Sequence, residues 1–484
     1  MSRKFAGPEA FASTAPYHLL PFRFIALDRE REVLVSEVGD YVVCPAGTAT
    51  RVAERSVERS EPLFADLASR HIVSDQAVPD LIDVLATRYR TKKSFLDGFT
   101  ALHIFVLTLR CNHTCHYCQV SRQTEDQVAF DMSRDDIDRA VDLMFTSPSP
   151  SLTMEFQGGE PLLAFGLLQY AVERALEANE REGRDLTFVV CTNATAFSDE
   201  ALAFLAEHRV LVSTSLDGPA HVHNANRAKS GADSYDRVVE GIAAARAALG
   251  ADRVSALMTT TAKSLDHPSE IVDAYVEHGF ENVFLRHVSP YGFAVRSRAK
   301  NDYDTARFLD FYKAGLERVL EWNRRGVAIA EDYATIVLKK ILTPFPVGYV
   351  DLQSPAGLIN GAVVYNYDGG VYASDEARML AEMGDDTFRL GSVRDSYADL
   401  FGGAVAQSVA RHWSNEALAG CSDCGFQSFC GADPVFHHAT QGDMEGYRPT
   451  SAFCARNMGV IRHLLLLLEA GGEDARTLRS WAAR

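Results

Sequence analysis

Between about residues 100 and 290, short apolar runs alternate with longer stretches of helical periodicity. No other feature of the chain restricts its fold as much. The runs are Leu102–Leu109, Leu152–Gln157, Leu186–Thr192, Val210–Leu216, Val254–Thr260 and Asn282–Val288. Strands this uniformly apolar and β-branched imply a parallel sheet buried on both faces. Between them, Ser133–Phe145 opens with Ser133 and Asp136 at capping-box spacing, and Tyr235–Leu249 stops at Gly250. Right-handed crossovers would curl six such repeats into an incomplete barrel. The expected fold class is α/β, a partial (β/α)6, TIM-like barrel over residues 96–335; after residue 300 its regularity fades into helices at Tyr303–Arg325 and Tyr333–Leu342.

Two flanking units are expected. Residues 1–95 read as a small α+β unit: strands Phe22–Leu27 and Val33–Val43 around a polar turn, a second turn at Gly39 and Asp40, then helices at Leu63–Ile72 and Val78–Tyr89. The basic stretch Arg88–Lys93 marks its expected end. Residues 336–484 are irregular and rich in Gly, Asp and Cys to about residue 456, then helical over Asn457–Glu469, with Leu464–Leu468 as a packed face. Lys plus Arg number 48 against 65 Asp plus Glu, so 48 − 65 = −17, which argues against nonspecific nucleic-acid or anionic-membrane binding. Met1–Pro16 has no continuous apolar region, and Leu464–Leu468 falls far short of the ~20 residues of a membrane span, so a cytoplasmic protein is expected.

Seven of the nine cysteines fall into two groups. Cys111, Cys115 and Cys118 follow the first barrel strand as CxxxCxxC, and Cys421, Cys424, Cys430 and Cys454 lie near the other end. In a chain read as cytoplasmic, such clusters indicate metal ligation rather than disulfides. Three thiolates on one loop can hold three irons of a four-iron cluster and leave the fourth open. Zinc completed by His113 or His116 is the competing reading of the first group, and a structural zinc with His437 and His438 as spares that of the second. Polar residues collect where strands end: Thr192 and Asn193 after the third, Ser213, Ser215, Asp217 and Gly218 after the fourth. Such groups at the carboxyl ends of parallel strands are what a ligand site in an α/β fold requires. Cys191 reads as a core thiol.

CxxxCxxC after strand one, with Tyr117 before its last cysteine, resembles the radical S-adenosylmethionine (SAM) superfamily. The resemblance implies that the open iron binds SAM, that an electron from the cluster cleaves it to a 5′-deoxyadenosyl radical, and that Tyr117 lies near the adenine. Gly158-Gly159-Glu160-Pro161 is similar to the family's GGEP segment, which holds the SAM amino group; two glycines admit the backbone and Glu160 offers an acceptor. Asn193, Ser215 and Asp217 join the expected cofactor contacts. Arg227 stands where related maturases have an arginine for the SAM carboxylate, with a plain surface arginine as the alternative. The C-terminal cysteines resemble the SPASM domain, whose members carry two auxiliary clusters. Here Pro434 and Ser374 replace two expected ligands, which implies one auxiliary cluster and two 4Fe-4S clusters in all. Asp375, beside the lost ligand, stands where sulfatase-type maturases have the aspartate that takes a proton from substrate; the alternative is a helix cap.

Ser121-Arg122-Gln123, Phe156–Pro161, Ser289–Phe293 and Cys430–His438 resemble the His-Xaa-Ser system radical SAM maturases over about residues 17–465. This resemblance implies a ribosomally made precursor peptide with His-Xaa-Ser repeats as substrate, an electron donor such as flavodoxin or ferredoxin, and a second radical SAM enzyme in the same pathway. The N-terminal unit resembles an element that captures a leader peptide as an added strand, with a plain structural extension covering the barrel as the alternative. A formylglycine-forming, sulfatase-maturase-like enzyme and a noncatalytic zinc-bearing peptide-binding protein remain as rivals.

Overall fold

The computed structural model describes residues 17–75, 78–126, 128–229 and 231–483. The expectation for Met1–Pro16 lies outside them. Among the described residues no helix is long and apolar enough to cross a membrane. The chain divides into two units, Met1–Lys93 with Asp423–Phe429, and Ser94–Ser422 with Cys430–Arg484.

The first unit is built on three antiparallel strands, Phe22–Ala26, Arg31–Ser36 and Tyr41–Pro45, where a strand pair was expected. Asp28 shapes the first turn by accepting from the backbone N–H groups of Glu30 (2.9 Å) and Arg31 (2.8 Å). Gly39, at φ 84°, makes the second turn that frees Tyr41–Pro45 to pair as a third strand. One sheet face, through Leu34 and Cys44, buries against Val52, Phe64 and Leu67 of the following helices Thr48–Ala53 and Pro62–Ser69. The opposite face meets Asp423–Phe429, where the Tyr41 and Phe429 rings pack edge to face at 6.2 Å. The basic stretch taken as the unit's end is the last turn of helix Val78–Lys92, and Arg88 donates to Asp40 at 2.6 Å.

In the second unit the barrel strands are Leu102–Thr108, Ser151–Gly158, Asp185–Cys191, Leu211–Ser215 and Val254–Leu257, hydrogen-bonded in sequence and all parallel. The sixth run is strand at Asn282–Val283, paired with Ala330–Glu331, and meets the fifth run through a parallel bridge between His287 and Thr260. The sheet also grows on its other side. Ala362–Tyr365 pairs parallel to Leu102–Thr108, and the antiparallel strands Gly370–Tyr372 and Arg389–Ser392 extend it to eight strands. Glu331, fully buried, accepts the Leu285 N–H at 3.0 Å and ties that segment to helix Asp332–Leu342. The helices follow the pattern read from sequence: Ser133 caps Arg134–Phe145 by accepting from the Asp136 N–H at 3.1 Å, and Gly250 ends Ser234–Leu249. The last long helix begins earlier than expected, at Ala452–Ala470, with Leu464, Leu465 and Leu468 buried.

One close approach ties this scaffold to the strand ends. A Cβ on Gly241 would lie 1.9 Å from the Ala194 carbonyl oxygen, so helix Ser234–Leu249 seats against the loop after the third strand only because residue 241 has no side chain. Gly241→Ala should lower the unfolding free energy by ~1–3 kcal/mol, the usual cost of overpacking, read as a reduced guanidinium midpoint. An unchanged midpoint would show that the loop yields freely.

Candidate active site

The carboxyl ends of the barrel strands open into a cavity of about 420 Å³. That lies within the ~300–1,000 Å³ usual for small-molecule sites. Cys111, Cys115 and Cys118 line it from the loop after the first strand, a loop pinned by the Cys111 N–H donating to the Gln123 carbonyl at 3.0 Å. Burial pushes the Cys115 thiol up to about 12 and raises Cys111 as well. Thiols so disfavoured as free thiolates ionise only against a cation, which is what a metal-ligating trio requires. Neither competing histidine completes a zinc set here. His113 pairs through Nε2 with Ser234 Oγ at 2.9 Å and through Nδ1 with Asn112 Oδ1 at 3.1 Å, and His116 does not line the cavity. Among the described residues neither histidine gathers with these sulfurs into a metal-holding group, and three sulfurs on one loop fit a four-iron cluster with one open iron.

The second strand supplies Gly158 and Gly159. A Cβ at Gly158 would meet the Thr108 carbonyl at 2.3 Å, and one at Gly159 the Arg110 carbonyl at 2.1 Å, so the chain passes the cysteine loop as bare backbone. Glu160 departs from the acceptor expected for a ligand ammonium. It is fully buried and does not line the cavity. Its Oε1 accepts from the Thr192 hydroxyl (2.7 Å) and the Leu162 N–H (3.1 Å), and its Oε2 from the Asn193 N–H (2.7 Å). Its role is to join the ends of the second and third strands.

Asn193, Ser215, Tyr117 and Arg227 line the cavity. Arg227 is no surface residue: its side chain is 11% exposed, its Nη2 donates to Asp217 Oδ1 at 3.2 Å, and its guanidinium lies 5.3 Å from the centre of the Tyr117 ring. The Tyr117 hydroxyl donates to Asp217 Oδ2 at 2.9 Å. Asp217, fully buried and absent from the cavity wall, therefore orients both groups rather than presenting itself to a ligand. Cys191 is corrected from core thiol to cavity wall, with its Sγ 3.5 Å from Glu155 Oε1.

Further lining residues come from beyond the barrel. Asp375 lines the cavity as the first residue of helix Asp375–Ala381, and the cap is Ser374, whose hydroxyl accepts from the Ala377 N–H at 3.2 Å. The helix-cap alternative for Asp375 is thereby overturned; its Oδ1 takes the Arg378 Nε–H at 3.1 Å. Beside it are groups that the sequence reading missed: Glu376, Asp351 and Asp433, with Arg286 near Asp351 at 3.7 Å. Burial, then Asp351, Asp375 and Asp433, pushes Glu376 up to about 8, and burial pushes Asp433 up to about 6. In sequence Glu376 looks like an ordinary acidic residue in a first helical turn, so only its neighbours reveal it.

Of the second cysteine group, Cys424 lies in the Asp423–Phe429 segment of the first unit, while Cys421, Cys430 and Cys454 belong to the second. Cys454 sits in the first turn of helix Ala452–Ala470, its N–H donating to Ser451 Oγ at 3.1 Å.

The family model described as the Radical SAM superfamily matches residues 105–274. The cysteine-type anaerobic sulfatase-maturating enzyme of Clostridium perfringens (strain 13 / Type A) is 26% identical over 298 residues, 59% of this chain and 75% of that protein. Among solved structures, native anSMEcpe with bound AdoMet matches with a TM-score of 0.62 at 18% identity, over 76% of this chain and 98% of that one. Streptococcus suis SuiB bound to precursor peptide SuiA matches with a TM-score of 0.52 at 13% identity, over 90% and 99%. The chain thus has the radical SAM α/β fold with a mostly parallel sheet.

The raised Glu376 makes a stability prediction. Its value of about 8 exceeds the ~4.3 of an unfolded glutamate, so between those values the unfolded chain binds fewer protons and stability falls as pH rises. Glu376→Gln should have a higher denaturation midpoint than the parent near pH ~8, with the excess shrinking toward pH ~5, where the folded-state glutamate is protonated. Asp433 keeps a residual slope up to its own value of about 6. Identical midpoints near pH ~8 would overturn the environment described for Glu376.

Proposed function

We propose that this chain is a radical SAM enzyme that modifies a ribosomally made precursor peptide carrying His-Xaa-Ser repeats, by oxidation or cross-linking of a His or Ser side chain. The observation that carries this reading is one cavity lined both by Cys111, Cys115 and Cys118 and by the carboxylates Asp375 and Glu376. A site-bound 4Fe-4S cluster with SAM supplies one-electron cleavage to a 5′-deoxyadenosyl radical that takes hydrogen from carbon. Cys111, Cys115 and Cys118 would hold the cluster. Arg227, steadied by Asp217, would pair with the SAM carboxylate. The Gly158-Gly159 backbone would approach the amino group, and Tyr117, Asn193 and Ser215 would bound the remainder. Asp375 would accept the substrate proton, a task in which a positioned carboxylate typically contributes ~10²- to 10⁴-fold.

The spacing of Cys421, Cys424, Cys430 and Cys454 supports one auxiliary 4Fe-4S cluster, and Pro434 and Ser374 leave no thiolates for another. A flavodoxin- or ferredoxin-type donor would supply the electron, and a second radical SAM enzyme would act on the same peptide. The first unit, three antiparallel strands followed by helices, supports leader capture at a strand edge, where Phe24 on the outer strand Phe22–Ala26 is 56% exposed.

A second reading, formylglycine formation, is favoured by Asp375 lining the cavity and by the similarity to a sulfatase-maturating enzyme. Co-expression with a His/Ser-repeat peptide, followed by mass spectrometry, separates the two. A mass change confined to the repeats supports peptide maturation. Oxidation of a single Ser or Cys to an aldehyde in a sulfatase-derived peptide, with the repeats untouched, supports the rival.

Replacing Cys111, Cys115 and Cys118 together with Ala should abolish 5′-deoxyadenosine formation and lower the iron content from ~8 to ~4 per chain; undiminished cleavage would refute the cluster assignment. Phe24→Asp should weaken leader-peptide binding at least ~10-fold while sparing SAM cleavage without peptide, as measured by fluorescence anisotropy of a labelled leader. Equal affinity would assign the edge a structural role.

A further inference from the structure

Outside the cavity, two successive strand-helix repeats bring three metal-ligating side chains together. His221 lies in helix Ala220–Asn226, which follows the fourth strand; His267 directly precedes helix Pro268–Glu277, which follows the fifth, and Glu270 lies in its first turn. Among the described residues, these three are the His/Cys/Asp/Glu group whose ligand atoms all lie within 4.8 Å of one another. His267 Nδ1 is 2.7 Å from Glu270 Oε1, and His221 Nε2 is 3.6 Å from Glu270 Oε2. The two imidazole rings meet edge to face with centroids 4.7 Å apart.

Geometry and donor type select the ligand. Donors on a tetrahedral ion with bonds of ~2.0–2.1 Å stand ~3.3–3.4 Å apart, and the two separations at Glu270 fall on either side of that. His267 and Glu270 already aim a nitrogen and an oxygen lone pair at one proton. An ion in that proton's place would release it and take in His221 through the second carboxylate oxygen's neighbourhood. Two imidazoles and a carboxylate suit borderline first-row ions such as zinc, with a fourth position left for water, whereas calcium and magnesium call for oxygen donors. Two helix N-termini face the ion with positive potential, so the negative charge of Glu270 matters most among the three ligands.

We propose that His221, His267 and Glu270 bind a divalent transition-metal ion of the zinc class, which ties the two helices together and restrains the segment between Asp217 and Arg227. Helix Ala220–Asn226 spans most of that segment. A Cβ on Gly218 would lie 2.7 Å from Ile271, so the turn into this helix already presses on Pro268–Glu277. The ion would fasten the same contact from the solvent side, where the His221 and Glu270 side chains are 49% and 54% exposed.

The test uses full-length, cluster-reconstituted protein, with Zn2+ and Co2+ salts as the probes. Glu270→Gln and His221→Ala change exposed side chains and leave the core intact. Equilibrium dialysis should show zinc bound by the parent, and each variant should weaken it at least ~10-fold, a loss usual even for groups that only support a ligand. Cobalt held by this trio should lack the charge-transfer absorption of thiolate ligation, and its spectrum should be lost in both variants. Backbone hydrogen exchange over residues 217–227 should slow when zinc is added to the parent and stay unchanged in the variants. Three results overturn the site: zinc binding of equal strength in parent and variants, a cobalt spectrum the variants do not alter, or a parent dissociation constant weaker than ~1 mM. Unaltered exchange in the zinc-loaded parent overturns the restraint.

Discussion

The site depends on one buried carboxylate. Glu160 sits where the second strand ends, and its three accepted hydrogen bonds reach its own following turn and the end of the third strand. Its N–H in turn donates to the Arg110 carbonyl at 2.7 Å, directly before the cysteine loop. A carboxylate with no water contact is stable only while such donors stay in place. The strand termini are therefore held by an arrangement that tolerates little displacement. The backbone Gly158 and Gly159 present to the cavity, the cysteine loop they pass and the Asn193 amide all take their positions from it.

The cavity carries charge of both signs. Buried thiols share its wall with an arginine anchored by Asp217. Acids line it too, and burial raises Glu155 on the strand Ser151–Gly158 as it raises Glu376 and Asp433. Substrate groups that must lose a proton meet acids of altered strength along such a wall. Some of these groups come from the barrel strands, while Glu376 and Asp351 arrive on Asp375–Ala381 and the Val350–Leu352 turn, from outside the repeat.

The barrel was legible because its strands are long, apolar and evenly spaced, and because Ser133 and Gly250 use ordinary helix boundary chemistry. Ala362–Tyr365, Gly370–Tyr372 and Arg389–Ser392 were not legible, since three or four residues in a Gly/Asp-rich region show no period; they are strands only because Leu102–Thr108 offers an edge. The sixth run had a strand-like sequence and meets the fifth through the bridge of His287 with Thr260, while Glu331 ties its Leu285 to the following helix. At the site, the cysteines and glycines announced themselves by spacing. Glu160 and Asp217 were noticed as acceptors, yet their partners, which turn them into positioning groups, come from residues as much as 100 positions away, as with the Tyr117 hydroxyl on Asp217. Glu376 and Asp433 carry no local signal, because their character arises from burial beside one another.

The segment Asp423–Phe429 belongs to the unit formed by the beginning of the chain, where Phe429 packs on Tyr41. During translation at ~5–20 residues per second, the strands Phe22–Ala26 to Tyr41–Pro45 emerge on the order of half a minute before their covering segment exists. That sheet face must wait on the ribosome with its apolar side chains uncovered, within reach of chaperones. The small unit at the front of the chain is consequently among the last parts of the protein to be completed.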